Sequence, residues 1–324
     1  GTSATVNVTP IPTATISYNG PFCDSETNVQ SVTLNGTGAY IGGTYSAPAG
    51  LSINTSSGAI TPSSSTPGIY TVTYTIPASG GCGTETATTS VTITEEPTAT
   101  ISYNGPFCDS ETNIQSVTLN GTGAYTGGTY AAPTGLSINS STGAITPSAS
   151  TPGIYTVTYT IPASGGCGTE TATTSVTITE EPTATISYNT SYCNSDASPQ
   201  AVTFSGTSGA YSGGTFAASP SGLTINSSTG AITPSTSSTG TYTITYTIPA
   251  SGGCSTETIN TSVTIKEDVI ITTQPQNVGV CVSNPASLSV VAFGDDLTYE
   301  WFKVSSPSDI SVGTNATLNF ASTT

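Results

Sequence analysis

Residues 50–77 read GLSINTSSGAITPSSSTPGIYTVTYTIP. In the second half, Tyr70, Val72, Tyr74 and Ile76 alternate with Thr71, Thr73 and Thr75, the period of a strand with one buried and one solvated face. In the first half, LSI (51–53) and AIT (59–61) flank a Ser-Ser-Gly turn, which predicts a short hairpin. Working outward, TATISY (13–18), QSVTLNG (30–36), GGTYSAP (42–48) and TATTSVTIT (86–94) alternate in the same way between Gly, Pro, Asn and Ser turns. No stretch has helical periodicity. Seven short strands in about 85 residues predict an all-β domain, an antiparallel β-sandwich.

The same text recurs. The hairpin-and-strand pattern returns at 135–161 and 222–248, and PTATISYNGPFCDSETN at 12–28 is repeated letter for letter at 97–113, 85 residues on. A third, more divergent copy opens at Pro182, again 85 residues on. Between 12–96 and 97–181 only seven positions differ, all by small exchanges such as Val29/Ile114 and Ser64/Ala149. A period well above the 20–50 residues of solenoids implies separately folded modules. The expected organisation is the last strand of a preceding repeat at 1–11, where Val6 and Val8 align with Val91 and Ile93, then repeats at 12–96, 97–181 and 182–267. Residues 268–324 then form an incomplete domain of a different subtype. On this reading the chain is an interior piece of something longer.

Eighteen acidic residues against two basic ones give a formal net charge of −16. Nothing here could neutralise phosphates, so nucleic acid and anionic membrane surfaces are disfavoured as partners. No apolar run reaches the length of a membrane span. Histidine is absent and Lys266 and Lys303 are the only basic side chains, which removes the usual nucleophile and general-base constellations. An active site is built once, whereas these modules are near copies, so no enzyme is expected. Thr and Ser supply the polar surface that charge usually provides.

Gly68-Ile69-Tyr70 enters the longest strand where an immunoglobulin-like domain carries its tyrosine corner, and Val72 stands where an antibody domain has a core cysteine. The pattern of 50–76, with Phe-Cys and Gly-Gly-Cys at 22–23 and 80–82, resembles the tandem immunoglobulin-like and cadherin-like repeats of very large secreted adhesins of gliding Bacteroidota. That resemblance covers residues 1–267. It implies an extended rod at the bacterial cell surface, type IX secretion, a stalk or fibre role, and contacts with outer-membrane motility or secretion machinery. Residues 268–324 resemble another immunoglobulin-like subtype, with Trp301 as the core tryptophan of its third strand.

Seven cysteines stand at 23, 82, 108, 167, 193, 254 and 281. With no His and no C-x-x-C, zinc lacks ligands and disulfides in an oxidising compartment are expected. Two pairings are open. Cys23 sits in the loop between the first two strands and Cys82 in the loop between the last two, with five strands between them. An odd number puts the loops at opposite ends of the sandwich, beyond the ~7 Å that bonded Cα atoms allow. This favours bonds between modules, Cys23–Cys167 and Cys108–Cys254, with Cys82 bonded to an earlier module and Cys193 and Cys281 to later ones. If the predicted hairpin is one continuous strand, parity flips and the pairs become Cys23–Cys82, Cys108–Cys167 and Cys193–Cys254.

Asp24, Glu26, Glu95, Glu96 and Glu170 are expected near one module junction, where oxygen ligands from three segments make calcium a candidate cofactor. Against this, the third repeat carries Asn194 and Asp196 instead. The functional expectation is a disulfide-stapled stalk whose partners are its own neighbouring modules. The alternatives are direct binding of polysaccharide or ice by rows of outward Thr, or lateral assembly of copies into a filament.

Overall fold

The computed structural model describes residues 1–208, 211–305 and 308–321. It divides into two compact units, Gly1–Thr179 and Glu180–Thr324. The first unit holds two repeats. In the first repeat the strands are β1 (Thr13–Ser17), β2 (Phe22–Cys23), β3 (Thr33–Thr37), β4 (Thr44–Ser46), β5 (Gly68–Ile76) and β6 (Glu85–Thr94). β1 pairs with β3, and a second sheet runs β2-β6-β5-β4, antiparallel except that β2 runs parallel to β6. The second repeat reproduces this with β7 (Thr98–Ser102), β8 (Phe107–Cys108), β9 (Thr118–Thr122), β10 (Thr129–Ala131), β11 (Gly153–Ile161) and β12 (Glu170–Thr179).

The alternation read along 68–76 is the observed burial pattern. Tyr70, Val72, Tyr74 and Ile76 are buried and pack with Tyr45, Ile60, Val91 and Ile93 between the two sheets. The buried tyrosines keep their hydroxyls satisfied. Tyr74 donates to the Tyr40 carbonyl at 2.8 Å and accepts from the Gly43 amide at 2.8 Å, while its ring lies 4.6 Å from that of Tyr45. Tyr70 donates to the carbonyl of Thr66, four residues upstream, at 2.7 Å, which is the tyrosine corner. Tyr155 and Tyr242 do the same in their repeats.

Three expected strands are shorter than their alternation suggested. Residues 51–53 and 59–61 meet only through the bridge Ile53–Ile60, and Ile60 also bridges to Gln30. A short 3-10 turn at Pro62–Ser64 ends the run, because proline offers no amide to extend a ladder. The stretch 42–48 keeps only Thr44–Ser46, bounded by Gly42 in the left-handed region and by Pro48. The hairpin tip depends on Gly58 at φ 73°: a Cβ there would stand 2.7 Å from the Tyr45 ring and 2.8 Å from Val32. The Gly58 carbonyl accepts from Tyr18 Oη at 2.6 Å, and burial holds that phenol's pKa well above its usual range. Residues 1–11, expected as the last strand of a preceding repeat, carry no strand here and are exposed.

The second unit holds the third repeat, with β13 (Thr183–Ser187), β14 (Ser191–Cys193), β15 (Thr203–Ser208), β16 (Thr215–Ser219), β17 (Gly240–Ile248) and β18 (Glu257–Lys266) in the same topology. Six further strands follow: β19 (Ile270–Thr273), β20 (Ala286–Ser289), β21 (Val291–Phe293), β22 (Trp301–Lys303), β23 (Ile310–Gly313) and β24 (Thr317–Phe320). They pair as three separate ladders, β19–β21, β20–β24 and β22–β23. Trp301, expected in a core, is only half-buried, and its indole N–H donates to the Asn315 carbonyl at 2.7 Å.

Candidate functional site at the repeat junction

The first two repeats meet where β6 ends. β2 is laid parallel against the last residues of β6, Phe22 opposite Ile93 and Cys23 opposite Thr94. The Asp24 amide donates to the Thr94 carbonyl at 2.8 Å, and Asp24 Oδ1 accepts from the Glu96 amide at 2.8 Å, clasping the linker as it leaves the repeat. In the third repeat Asn194 does the same work, donating to the Lys266 carbonyl and accepting from the Asp268 amide at 3.2 Å. Pro97, the first residue of the second repeat, is buried.

The turn between β11 and β12 reaches back to this point. Ser164 and Cys167 close it through a bridge, with Gly165 and Gly166 at its tip in the left-handed region. Cys167 Sγ stands 3.9 and 3.7 Å from the carbonyl oxygens of Thr94 and Glu95. It is bonded to Cys23 with the two Cα atoms 4.7 Å apart. Both cysteines are buried, at 3% and 5% exposure, so the covalent bond is enclosed by the junction.

The bond spans the boundary between repeats because the two cysteines of one repeat lie at opposite ends of its last strand. Cys23 pairs beside Thr94 at the end of β6, whereas Cys82 precedes Glu85 at its start. Ten extended residues cover about 33 Å. Cys23 is therefore bonded to Cys167 and not to Cys82. Cys108 and Cys254 are likewise in disulfide linkage. Cys193 is a free thiol, so it does not pair with Cys254, and Cys108 cannot pair with the occupied Cys167. Cys82, Cys193 and Cys281, expected to bond to further modules, are thiols.

Asp24 is occupied with the linker amide, Glu26 Oε1 accepts from the Asn28 amide at 2.8 Å, and Glu170 opens β12 opposite Ile161. Glu95 is exposed and Glu96 half-buried on the linker. Among the described residues no three acidic or cysteine side chains converge as a ready metal site. Asp24 and Glu26 thereby satisfy one backbone amide each, in the linker and in the turn. The outward threonines are in register across the sheet, Thr44 beside Thr75 and Thr75 beside Thr86, with Thr73 beside Thr88.

No protein-family model and no curated protein matches the chain. Among solved structures, the titin I-band fragment I67–I69 matches with a TM-score of 0.40 and 14% identity, over 78% of this chain and 98% of that one. The eight N-terminal immunoglobulin domains of Down syndrome cell adhesion molecule match at 0.41 and 10%, over 90% and 42%. Drosophila N-cadherin EC1-4 matches at 0.34 and 11%, over 80% and 76%. The sandwich topology and the three tyrosine corners carry the fold themselves: residues 12–267 are three tandem immunoglobulin-like β-sandwich repeats, the first two covalently joined across their boundary.

Proposed function

We propose that the chain is an extracellular structural spacer, whose repeats are stapled end to end so that they transmit force and hold a fixed reach. The observation that carries this reading is the Cys23–Cys167 bond, which ties two near-identical sandwiches together in addition to their linker. A hinge with one covalent strand can bend and twist; a second covalent tie beside the linker, seated on Thr94 and Glu95, opposes both. The bond closes a sequence separation of 144 residues, which in the loop-entropy account removes about 5 kcal/mol of freedom from the unfolded chain. Disulfides of this kind persist in oxidising compartments outside the cell. No catalytic step belongs to this reading.

The finer setting, a stalk segment of a large adhesin on the surface of gliding Bacteroidota exported by the type IX system, is supported by the resemblance of residues 1–267. In that setting an adhesive tip would be displayed elsewhere, and outer-membrane machinery would be the partner. Small-angle scattering of the chain, before and after reduction and alkylation, tests the mechanical claim. The expected outcome is a broader distribution of interatomic distances once the staple is cut, with the strand content by circular dichroism unchanged. An identical distribution would refute the stiffening role.

A further inference from the structure

The turns that precede β6 and β12 have one sequence, ASGGCG at 78–83 and 163–168. They also have one backbone: Ser79 bridges to Cys82 as Ser164 does to Cys167, and Gly80, Gly81, Gly165 and Gly166 all take left-handed φ. Each is seated on the chain entering its repeat. Cys82 Sγ stands 3.7 and 3.8 Å from the carbonyl oxygens of Thr9 and Pro10, as Cys167 does from those of Thr94 and Glu95, 85 residues later. A Cβ on Gly80 would press on Thr9, and one on Gly165 on Thr94.

The two turns differ on their outer side. A Cβ on Gly166 would collide with the Pro21 carbonyl oxygen, 2.8 Å from that carbonyl's carbon and 3.0 Å from Phe22 Cα. The backbone of the Gly20–Cys23 edge thus lies directly on Gly166 and delivers Cys23 to Cys167. A Cβ on Gly81 would meet nothing within 4 Å, and Cys82 is a half-buried thiol. The same receptor surface is covered in one repeat and open in the other.

We infer that the turn Ser79–Cys82 of the first repeat is a preformed docking site for the Gly-Pro-Phe-Cys edge of another repeat of the same kind, locked there through Cys82. The inference rests on the stapled-repeat reading and assigns it a specific recognition surface. The glycine at position 81 is what admits the incoming backbone, since any side chain would fill the space that Pro21 and Phe22 occupy at Gly166. The free edge on this chain, at Cys193, reads Thr190-Ser191-Tyr192-Cys193 in place of Gly-Pro-Phe-Cys and is a different ligand. Locking removes two electrons and two protons from two thiols, and a low-molecular-weight disulfide accepts them. One protein thiolate attacks that disulfide, expels a small thiol and becomes a mixed disulfide. The second protein thiolate attacks the protein sulfur of that mixed disulfide, forms the bond and expels the second small thiol.

The test extends the full chain by placing one more copy of residues 12–96 ahead of Pro12, in place of residues 1–11, and oxidises it with glutathione disulfide. The added segment repeats a sequence that the chain already folds. Non-reduced peptide mapping should then join Cys82 to the added repeat's counterpart of Cys23, and alkylation of Cys82 should slow at least tenfold relative to the unextended chain. Cys193 and Cys281 should react as before. The inference is overturned if Cys82 stays as reactive as Cys193, if it is recovered bonded to Cys193 or Cys281 of a second copy, or if the added repeat closes a bond within itself. Recovery of the Cys23–Cys167 peptide separates these outcomes from failure of the stapled-repeat reading: its presence beside an unreacted Cys82 rejects the docking site alone, and its loss rejects both.

Discussion

The first repeat and residues 268–324 are both strand-rich and both alternate apolar with polar residues, yet they bury very different amounts. In the first repeat twelve hydrophobic residues form one buried cluster; among the described residues of 268–324 no hydrophobic side chain is buried. The reason lies in the second layer. β5 is flanked on both sides, by β4 and β6, and its inner face of Tyr70, Val72, Tyr74 and Ile76 is covered by Ile16 and Ile60 from across the sandwich. In the last segment the strands pair only two by two, and Val304, Phe293 and Phe302 stay exposed at 86%, 62% and 55%. Alternation makes a strand amphipathic, but burial requires a partner sheet of matching extent.

Truncating an inward residue in each region should separate the two most widely. Tyr74→Ala deletes a fully buried ring and orphans the Gly43 amide, and should cost the first repeat about 3–5 kcal/mol. Leu288→Ala, at a half-buried position in β20, should cost less than about 1 kcal/mol. Denaturant titration followed by near-ultraviolet circular dichroism reads both. Equal losses would mean that residues 268–324 hold a core as tightly packed as that of the first repeat.

A smaller contrast concerns backbone specification. Gly58→Ala must adopt φ 73° and push on Tyr45 and Val32, which should cost about 2 kcal/mol. Gly279→Ala meets nothing within 4 Å and should change stability by less than about 0.5 kcal/mol. Thermal melting distinguishes them, and a silent Gly58→Ala would show that the hairpin tip is not the tight corner it looks to be.

The smallest expected effect is a pH dependence confined to the repeats. Burial raises the pKa of Tyr18, Tyr103 and Tyr188 above the usual 10.0, so the folded state holds a proton that the unfolded chain has released. The stabilisation is complete below pH 10 and declines as pH rises through and beyond it. Melting temperatures of the chain and of Tyr18→Phe, compared between pH 8 and pH 11, should show a shallower decline in the variant. Parallel declines would place Tyr18 outside the linkage.

Much of the repeat could be read without coordinates. The alternation at 68–76 gave the inner face residue by residue, and Tyr70 in its Gly-Ile-Tyr setting gave the corner. Other features were hidden. β2 is two residues long, too short to show any period, and its parallel pairing with β6 joins residues 71 apart in sequence, Phe22 and Ile93. The hairpin at 51–61 reads as two strands because its apolar residues alternate, but its ladder shrinks to one bridge once Ile60 is shared with Gln30. The bond from the Glu96 amide to Asp24 was hidden because a carboxylate in a loop has the same spelling whatever it meets.

What the amino-acid order determined alone was local and periodic: which residues face inward, where the chain turns, and that one module is written three times. What the tertiary structure decided was which of the two pairings left open by strand parity forms: Cys23 meets Cys167, the pairing that parity favoured. Two cysteines of one repeat are held at opposite ends of the same ten-residue strand, so the nearest partner of Cys23 is supplied by the next module. Sequence distance carries no information about that separation, because an extended strand is rigid and its length, not the number of residues in the loop, sets which sulfur atoms come within bonding reach.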